Sequence, residues 1–401
     1  MSDAWNDMSG LNADKLLGRL AGFLEWQGLG TAALTPRPRG GRLHGEDAEE
    51  VANLLERLAE SDAGLPAGRR PRSLIFGNGC FAIGRYAEAL AVYQALAGER
   101  PNDFAVHFNL GVTFLRRGQS AEAVSALTRA LELDPFSAPA YYQRGNAKDD
   151  AGDGVGALDD YATAIGLNPD YLQAHYNSGI VFNNLGRYEE AIAAFDTVTA
   201  LRPDISNAYL NRGVARDELG DVDGAISDYD LAIRYNPDNA DARFNRARVR
   251  YRVGRYREAV EDYTASIGLR PRDVEAINNR GLAYDALGQY EDAIADYDAA
   301  LKLQPDFAEV LSNRGAALES MGEVDAALGD YLEAQKALPE FAAAYYNAAR
   351  LYAERGDIAL CAEQLAEAVR LQPGLYGEAE SDETLGWVLD LSRMRDERRG
   401  K

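Results

Sequence analysis

The apolar positions of residues 274–307, VEAINNRGLAYDALGQYEDAIADYDAALKLQPDF, follow two helical stripes separated by a short break. Ile277, Gly281 and Tyr284 are three and four residues apart, which is the spacing of one face of an α-helix. A second stripe with the same spacing fills the other half of the segment. Pro305 ends it, because proline lacks the N–H that would continue a helix. The pattern predicts a helix–turn–helix hairpin.

The same pattern recurs at a period of 34 residues, without insertion or deletion. The nine units, called repeats 1 to 9, are 70–103, 104–137, 138–171, 172–205, 206–239, 240–273, 274–307, 308–341 and 342–375. Each unit has Gly at its fifteenth place, where a left-handed helix end favours glycine, and Pro at its thirty-second. Units of this kind predict a stacked array with an extended binding surface, not one globular domain with a single pocket.

Small residues recur where two helices would cross closely. The eighth place is Gly or Ala in every unit, and the twentieth is Ala in all but the last, which has Cys361. With the proline, these features resemble tetratricopeptide repeats. The resemblance covers residues 70–375 and implies an all-α, right-handed superhelical solenoid whose first helices line a concave groove. It also implies a binding or scaffolding role without chemistry. Lys148, Arg216 and Arg250 depart from the pattern with charge at the eleventh place, so we expect looser packing there.

The segments outside the repeats contain further amphipathic stretches. Residues 1–69 contain two of them, 13–27 and 46–60, joined by linkers rich in Gly, Pro and Arg. We interpret 1–69 as an N-terminal helical cap or, alternatively, as a docking arm bearing Trp5 and Trp26. Residues 376–401 are expected to form a C-terminal capping helix and tail. In that helix Ser381 is the N-cap, and Leu385, Val388 and Leu389 share one side.

Arg at the seventh place and Asp at the twenty-third occur together in five repeats, and no repeat has one without the other. The pairs are Arg144 with Asp160, Arg212 with Asp228, Arg246 with Asp262, Arg280 with Asp296 and Arg314 with Asp330. We predict a bridge between the two helices of each of these hairpins. Duplication of one ancestral unit would copy both residues without contact and is the competing explanation.

The second, fifth, sixth, ninth, twelfth and thirteenth places of the first helices define what we call the groove face. Its sixth place has an amide in repeats 2 to 9: Asn109, Gln143, Asn177, Asn211, Asn245, Asn279, Asn313 and Asn347. An amide donates and accepts, so this row predicts a ladder that binds the backbone of an extended peptide. It could equally bridge neighbouring repeats. Further peptide-binding candidates are the aromatic residues Tyr142 and Tyr176 and the acidic residues Asp149, Asp217 and Asp285.

The net charge of −22 excludes nucleic acid and anionic membranes as natural partners, because both require basic surface. The excess of acid on the groove face predicts a protein or peptide partner that is basic or polar. Chaperone-tail binders of this family hold a carboxylate with Lys at the second and fifth places. No repeat has Lys at either place, so we do not expect binding of Hsp70 or Hsp90 tails.

Groupings typical of catalysis are missing from the sequence. No phosphate loop, HExxH pattern or nucleophile elbow occurs. His107, His175, Cys80 and Cys361 fall at packing places, so we expect neither cofactor nor metal. We therefore predict a non-enzymatic, cytoplasmic scaffold or adaptor. The alternative is a regulatory subunit or self-assembling element acting through the N-terminal arm or the convex face, and the sequence leaves the oligomeric state open.

Overall fold

The computed structural model describes residues 18, 20, 21, 46–61, 74–382 and 385–389. Within these residues the chain is helical and contains no strand, which confirms the predicted all-α class. The contacts divide the chain into two compact units, Met1–Pro203 and Asp204–Lys401. Each unit consists of hairpins in which consecutive helices pack side by side.

The first unit contains repeats 1 to 4, preceded by helix α1 (Glu46–Ser61). Its hairpins pair α2 (Leu74–Ala82) with α3 (Tyr86–Glu99), α4 (Phe104–Arg116) with α5 (Ser120–Leu133), α6 (Ala138–Asp150) with α7 (Gly154–Leu167), and α8 (Leu172–Asn184) with α9 (Tyr188–Leu201).

The second unit contains repeats 5 to 9, followed by α20 (Leu375–Ser381). Its hairpins pair α10 (Ser206–Glu218) with α11 (Val222–Tyr235), α12 (Ala240–Arg252) with α13 (Tyr256–Leu269), α14 (Val274–Ala286) with α15 (Tyr290–Leu303), α16 (Ala308–Ser320) with α17 (Val324–Ala337), and α18 (Ala342–Glu354) with α19 (Ile358–Leu371).

Local sequence sets the ends of these helices. The Asp273 side chain accepts the N–H of Ala276 at 3.0 Å and so caps the start of α14. Gly288, between α14 and α15, has a φ of +71°, which is the left-handed conformation expected for the fifteenth place. The other eight glycines of this place also have positive φ. Helix α15 ends at Leu303, two residues before the proline, as the sequence predicts.

In repeats 1, 3, 4, 5, 7 and 8 the two helices of the hairpin meet where the eighth-place glycine faces an aromatic ring on the second helix. A Cβ added to Gly145 would lie 2.5 Å from Cε1 of Tyr161, and one added to Gly281 would lie 2.6 Å from Cε1 of Tyr297. Both rings are 0% exposed. The glycine is therefore retained because the buried aromatic residue occupies the volume of its side chain.

All five predicted Arg–Asp bridges are present, and each is bidentate. In repeat 3, Nε and Nη2 of Arg144 donate to the two carboxylate oxygens of Asp160 at 2.8 and 2.7 Å. The other four pairs have the same geometry. In repeats 3, 6, 7 and 8 the third nitrogen extends to the preceding repeat; in repeat 7, Nη1 of Arg280 donates to Thr264 Oγ1 at 3.1 Å. The arginine thus joins both helices of its own hairpin to the hairpin before it.

The charges at the eleventh place are each paired with the twenty-third-place aspartate of the same hairpin. Looser packing at these places stays a prediction. Arg250 donates from Nη1 to Asp262 Oδ2 at 2.6 Å, and Lys148 and Arg216 contact Asp160 and Asp228 in the same way. Three of the buried aspartates therefore have two cations each. An added cation offsets the desolvation of a carboxylate that is almost wholly buried.

Both ends of the array pack against neighbouring helices. Leu54 and Leu55 of α1 are buried in the same cluster as Cys80, which is the contact that the cap interpretation of residues 1–69 predicts. Trp5, Trp26, the linkers at 35–45 and 64–72, and the tail after 389 lie outside the described residues.

At the C-terminal end, the expected side Leu385, Val388 and Leu389 packs against repeat 9. The predicted N-cap was wrong. Ser381 is the last residue of α20, and its hydroxyl donates to the carbonyl of Gly377 at 3.0 Å. Asp382 accepts the N–H of Leu385 instead, at 3.1 Å. The serine hydroxyl is already engaged by the preceding helix, which leaves the aspartate to act as the cap.

Candidate functional site

The sixth-place amides of repeats 2, 4 and 8 form hydrogen bonds to the preceding repeat. Nδ2 of Asn109 donates to Oδ1 of Asn78 at 2.9 Å, and Nδ2 of Asn177 donates to Oδ1 of Asn146 at 2.8 Å. The same Asn78 oxygen accepts the buried Tyr93 hydroxyl at 2.7 Å. These contacts support the interpretation that the amides bridge repeats. Peptide binding by them remains a prediction.

The rest of the ladder lies at different depths. Asn313 donates to Asn278 of the preceding repeat at 3.0 Å. Gln143 and Asn109 are both buried, with 5% and 0% of their surface exposed. The half-buried members are Asn177, Asn211, Asn245, Asn279, Asn313 and Asn347. The sequence pattern did not reveal this difference in depth, because all eight amides occupy one place.

Two groove-face carboxylates are paired with arginines of the following repeat. Asp217 is 4% exposed and accepts from Arg248 Nη2 at 3.3 Å and also from Arg252. Glu319 likewise accepts from Arg350, and its second oxygen accepts a tyrosine hydroxyl. Asp217 is therefore not an open acidic group of the surface. The signal that could have found these pairs is the fixed spacing of 31 residues from Asp217 to Arg248 and from Glu319 to Arg350.

Asp149 and Asp285 occupy the same twelfth place but form no ion pair with the described residues. Burial raises the pKa of the Asp149 carboxyl above its usual value, and the neighbouring Asp150 carboxylate raises it further. Burial likewise raises the pKa of Asp285. A half-buried carboxylate without a cation is under-stabilised in its charged form, so both positions favour an incoming positive group.

The fifth-place aromatic residues pack against the buried ring of their own hairpin. Tyr142 lies 5.9 Å from Tyr161, and Tyr176 lies 5.8 Å from Phe195, measured between ring centroids. The hydroxyl of Tyr142 accepts from Nδ2 of Asn177 at 3.2 Å. Burial raises the pKa of Tyr142. These rings are half-buried, so each has a packing role and an open edge.

A cavity of about 330 Å³ brings several of the predicted residues together in repeats 2 to 4. Its lining comes from three consecutive first helices and consists of Val112, Leu115, Arg116, Tyr142, Gln143, Asn146, Asp149, Asp150 and Asn177. Arg116 lies in the helix before the two carboxylates and forms no ion pair with any described residue. The cavity thus combines two acids, one base, three amides and an apolar pair. Asp217 and Asp285 belong to the other unit and are not part of it.

The described histidines and cysteines lie outside this cavity and have structural roles. Nε2 of His107 lies 3.0 Å from the Pro101 carbonyl oxygen, and Nε2 of His175 lies 2.9 Å from that of Pro169. Burial raises the pKa of Cys361 to about 11.

No cluster of His, Cys, Asp or Glu suited to a metal occurs among the residues with described positions. Of the helices that the structure describes, none is long and apolar enough to span a bilayer.

Comparison with known families identifies these hairpins. Sequence models described as tetratricopeptide repeat match residues 78–138, 142–208, 184–240 and 210–274, and another matches 342–375. A model described as TPR repeat matches 285–322. The chain belongs to the tetratricopeptide repeat family. Tetratricopeptide repeats are in general interaction modules and not catalytic domains, so the chain is a protein-interaction scaffold.

Individual proteins share parts of the tetratricopeptide array. Hsp70-Hsp90 organizing protein 3 of Arabidopsis thaliana is 28% identical over 99 residues, which are 25% of this chain and 17% of that protein. This chain therefore spans less than a fifth of that relative's length. The crystal structure of MamA protein is 28% identical, with a TM-score of 0.39, over 41% of this chain and 90% of that one. YrrB, described as a TPR protein with an unusual peptide-binding site, is 24% identical, with a TM-score of 0.42, over 47% and 97%.

Proposed function

We propose that this tetratricopeptide protein is a non-enzymatic scaffold that holds an extended, basic or polar polypeptide along its groove face. The observation that carries the proposal is the cavity in repeats 2 to 4. Its lining includes Tyr142, Gln143, Asp149 and Asn177, which the repeat pattern had independently selected as binding residues. A concave site with a few convergent polar groups is typical of ligand recognition.

The preference for a basic partner is supported by the pattern of charge pairing. Arginines of the chain itself neutralise Asp217 and Glu319, which removes them from the acidic surface. Asp149 and Asp285 keep their charge without a cation among the described residues. The net charge of −22 attracts positive groups to the whole molecule. We expect this attraction to be strongest at Asp149 and Asp285.

The proposal does not extend to the chaperone tails suggested by the name of the plant relative. The second and fifth places contain no lysine in any repeat, so the cations that would hold a terminal carboxylate are missing. It also assigns no catalysis, since both described histidines bond to proline carbonyls and both thiols are buried.

Affinity capture from lysate of the native cell tests the proposal. The groove variant combines Asn245→Ala, Asn279→Ala and Asn347→Ala, whose amides make no hydrogen bond to another repeat within the described residues. We expect it to lose the partners that wild type recovers, while its circular dichroism melt stays unchanged.

The matched control changes one exposed carboxylate on the second helix of each of the same repeats: Glu261→Ala, Glu291→Ala and Glu363→Ala. This control should recover the same partners as wild type. Undiminished recovery by the groove variant, or equal loss in both variants, would show that partners do not bind the groove face of repeats 6, 7 and 9, which would refute binding of an extended polypeptide along the array.

A further inference from the structure

The twelfth place of the first helix has a carboxylate in repeats 3, 5, 7 and 8, and in two of these the next repeat provides an arginine. Arg248 contacts Asp217 from 31 residues further along, and Arg350 contacts Glu319 at the same spacing. Arg252 contacts Asp217 from a spacing of 35. Asp217 and Glu319 thus show how a carboxylate at the twelfth place binds a guanidinium group.

The arginines approach these carboxylates from the solvent side. The side chains of Arg248 and Arg252 remain 46% and 52% exposed, although the carboxylate that they share is only 2% exposed. The binding position for the guanidinium is therefore at the surface of the groove face. A guanidinium from another molecule could reach an equivalent position without opening the hairpin.

In repeat 3 the chain provides no such arginine. The positions 31 and 35 residues after Asp149 are Ile180 and Asn184. Asp149 and Asp150 make no ion pair with the described residues, and the cavity of about 330 Å³ adjoins them both. Asp149 thus has a cavity beside it and no arginine at either of the two spacings.

A second polar group points to a ligand in the same cavity. Gln143 lines it and is only 5% exposed. Its oxygen accepts from Asn146 at a long 3.4 Å, and its amide nitrogen donates to no described residue. That nitrogen retains accessible surface at the edge of the cavity, so it can donate to an acceptor that enters, such as a peptide carbonyl.

We propose that this cavity binds an arginine side chain of the partner polypeptide, whose guanidinium takes the position on Asp149 that the chain's own arginines take on Asp217. The assignment rests on the proposed scaffold function and deepens it by naming a recognised residue. The aliphatic stem of the arginine lies along Val112 and Leu115, and the Gln143 amide donates to the adjacent backbone carbonyl.

The charges of the lining agree with a cationic guest. Asp149 and Asp150 together outweigh Arg116, so the cavity has a net charge of −1 from its three ionic residues. Guanidinium is preferred to ammonium because its planar set of N–H groups matches carboxylate and amide oxygens that are fixed in place. Burial of the Asp149 carboxyl also makes a cation more stabilising there than at the surface.

Fluorescence polarisation with three labelled nonapeptides tests this assignment on the full chain. All three have a Ser/Ala background and differ only at the centre, which is arginine, lysine or citrulline. We expect the citrulline peptide to bind about tenfold more weakly or worse than the arginine peptide, since it keeps the shape and loses the charge. The lysine peptide should fall between them.

Variants of the chain locate the effect. Asp149→Asn should reduce the arginine peptide to the affinity of the citrulline peptide. Asp159→Asn is the matched control, because it removes the same charge from an exposed position of the same repeat and should change nothing. Ile180→Arg and the more exposed Asn184→Arg restore the internal spacings of 31 and 35. Each should occupy Asp149 and suppress the arginine preference without unfolding the chain.

Equal affinity for the arginine and citrulline peptides would overturn the assignment, as would an arginine preference that survives Asp149→Asn. A lysine peptide that binds as tightly as the arginine peptide would refute the guanidinium specificity. None of these results affects the lysate capture by the groove variant, so failure here is distinguishable from failure of the scaffold proposal.

Discussion

The aspartate of repeat 6 offers the sharpest test of how the hairpins are held together. Asp262 is 3% exposed and accepts three hydrogen bonds, two from Arg246 at 2.8 and 2.5 Å and one from Arg250 at 2.6 Å. Both arginine side chains are only 14% exposed. Asp262→Ala would therefore remove the shared carboxylate of two poorly solvated guanidinium groups, of which Arg246 keeps an ion pair with Asp230 and Arg250 keeps one with Glu258.

The expected loss is large because charge is left behind, not because the bridge itself is strong. Breaking one side of a buried ion pair destabilises by about 3–5 kcal/mol, whereas replacing the whole group by apolar residues is often close to neutral. We expect the lower end of that range, about 3 kcal/mol, for Asp262→Ala, because each arginine keeps one other carboxylate. Adding Arg246→Leu and Arg250→Leu should recover most of that loss. Asp296→Ala in repeat 7 should cost less, because it takes the carboxylate from one arginine, Arg280, and not from two.

Amide hydrogen exchange of α12 and α13, combined with urea midpoints, is the appropriate assay. A repeat array need not unfold in two states, so local opening energies are more informative than one global value. If the triple variant is as unstable as the sum of its single changes, the three side chains do not interact and the reasoning is refuted.

Three further changes have defined outcomes. Gly315→Ala should destabilise by about 1–3 kcal/mol in thermal melts, because its Cβ would meet the facing ring, whereas Gly329→Ala in the same repeat has open space and should stabilise by about 0.5–1 kcal/mol. Cys80 and Cys361 should resist a thiol reagent at pH 8 until urea is added. Since burial raises their pKa from 9.0 to about 12 and about 11, stability should fall as the pH rises through that range, because the unfolded chain ionises first. Asn109→Ala should cost about 0.5–1.5 kcal/mol, measured by urea denaturation, because it removes one of the two donors to the buried Asn78 oxygen, which keeps the Tyr93 hydroxyl.

The repeat pattern predicted the hairpins, their boundaries and the five bridges, because each depends on residues at fixed spacing within one unit. Glycine at the fifteenth place and proline at the thirty-second have local conformational effects that act wherever they occur. Arg144 and Asp160 are 16 residues apart. Arg and Asp occur at these two places either together or not at all in each repeat, and this pattern predicted their contact. The prediction of Ser381 as the N-cap was wrong, because the choice between Ser381 and Asp382 depends on where the preceding helix ends.

The sequence by itself determined the architecture, the register and the set of side chains on the groove face. Only the tertiary structure decided which of those side chains are available. Asn109 and Asn245 occupy the same place, yet the first is buried under Asn78 and the second is half-buried. Asp217 and Asp149 also share a place, but only the first has arginines on it. Availability depends on what the neighbouring repeat contributes across the contact, and a pattern read along one unit does not contain that information.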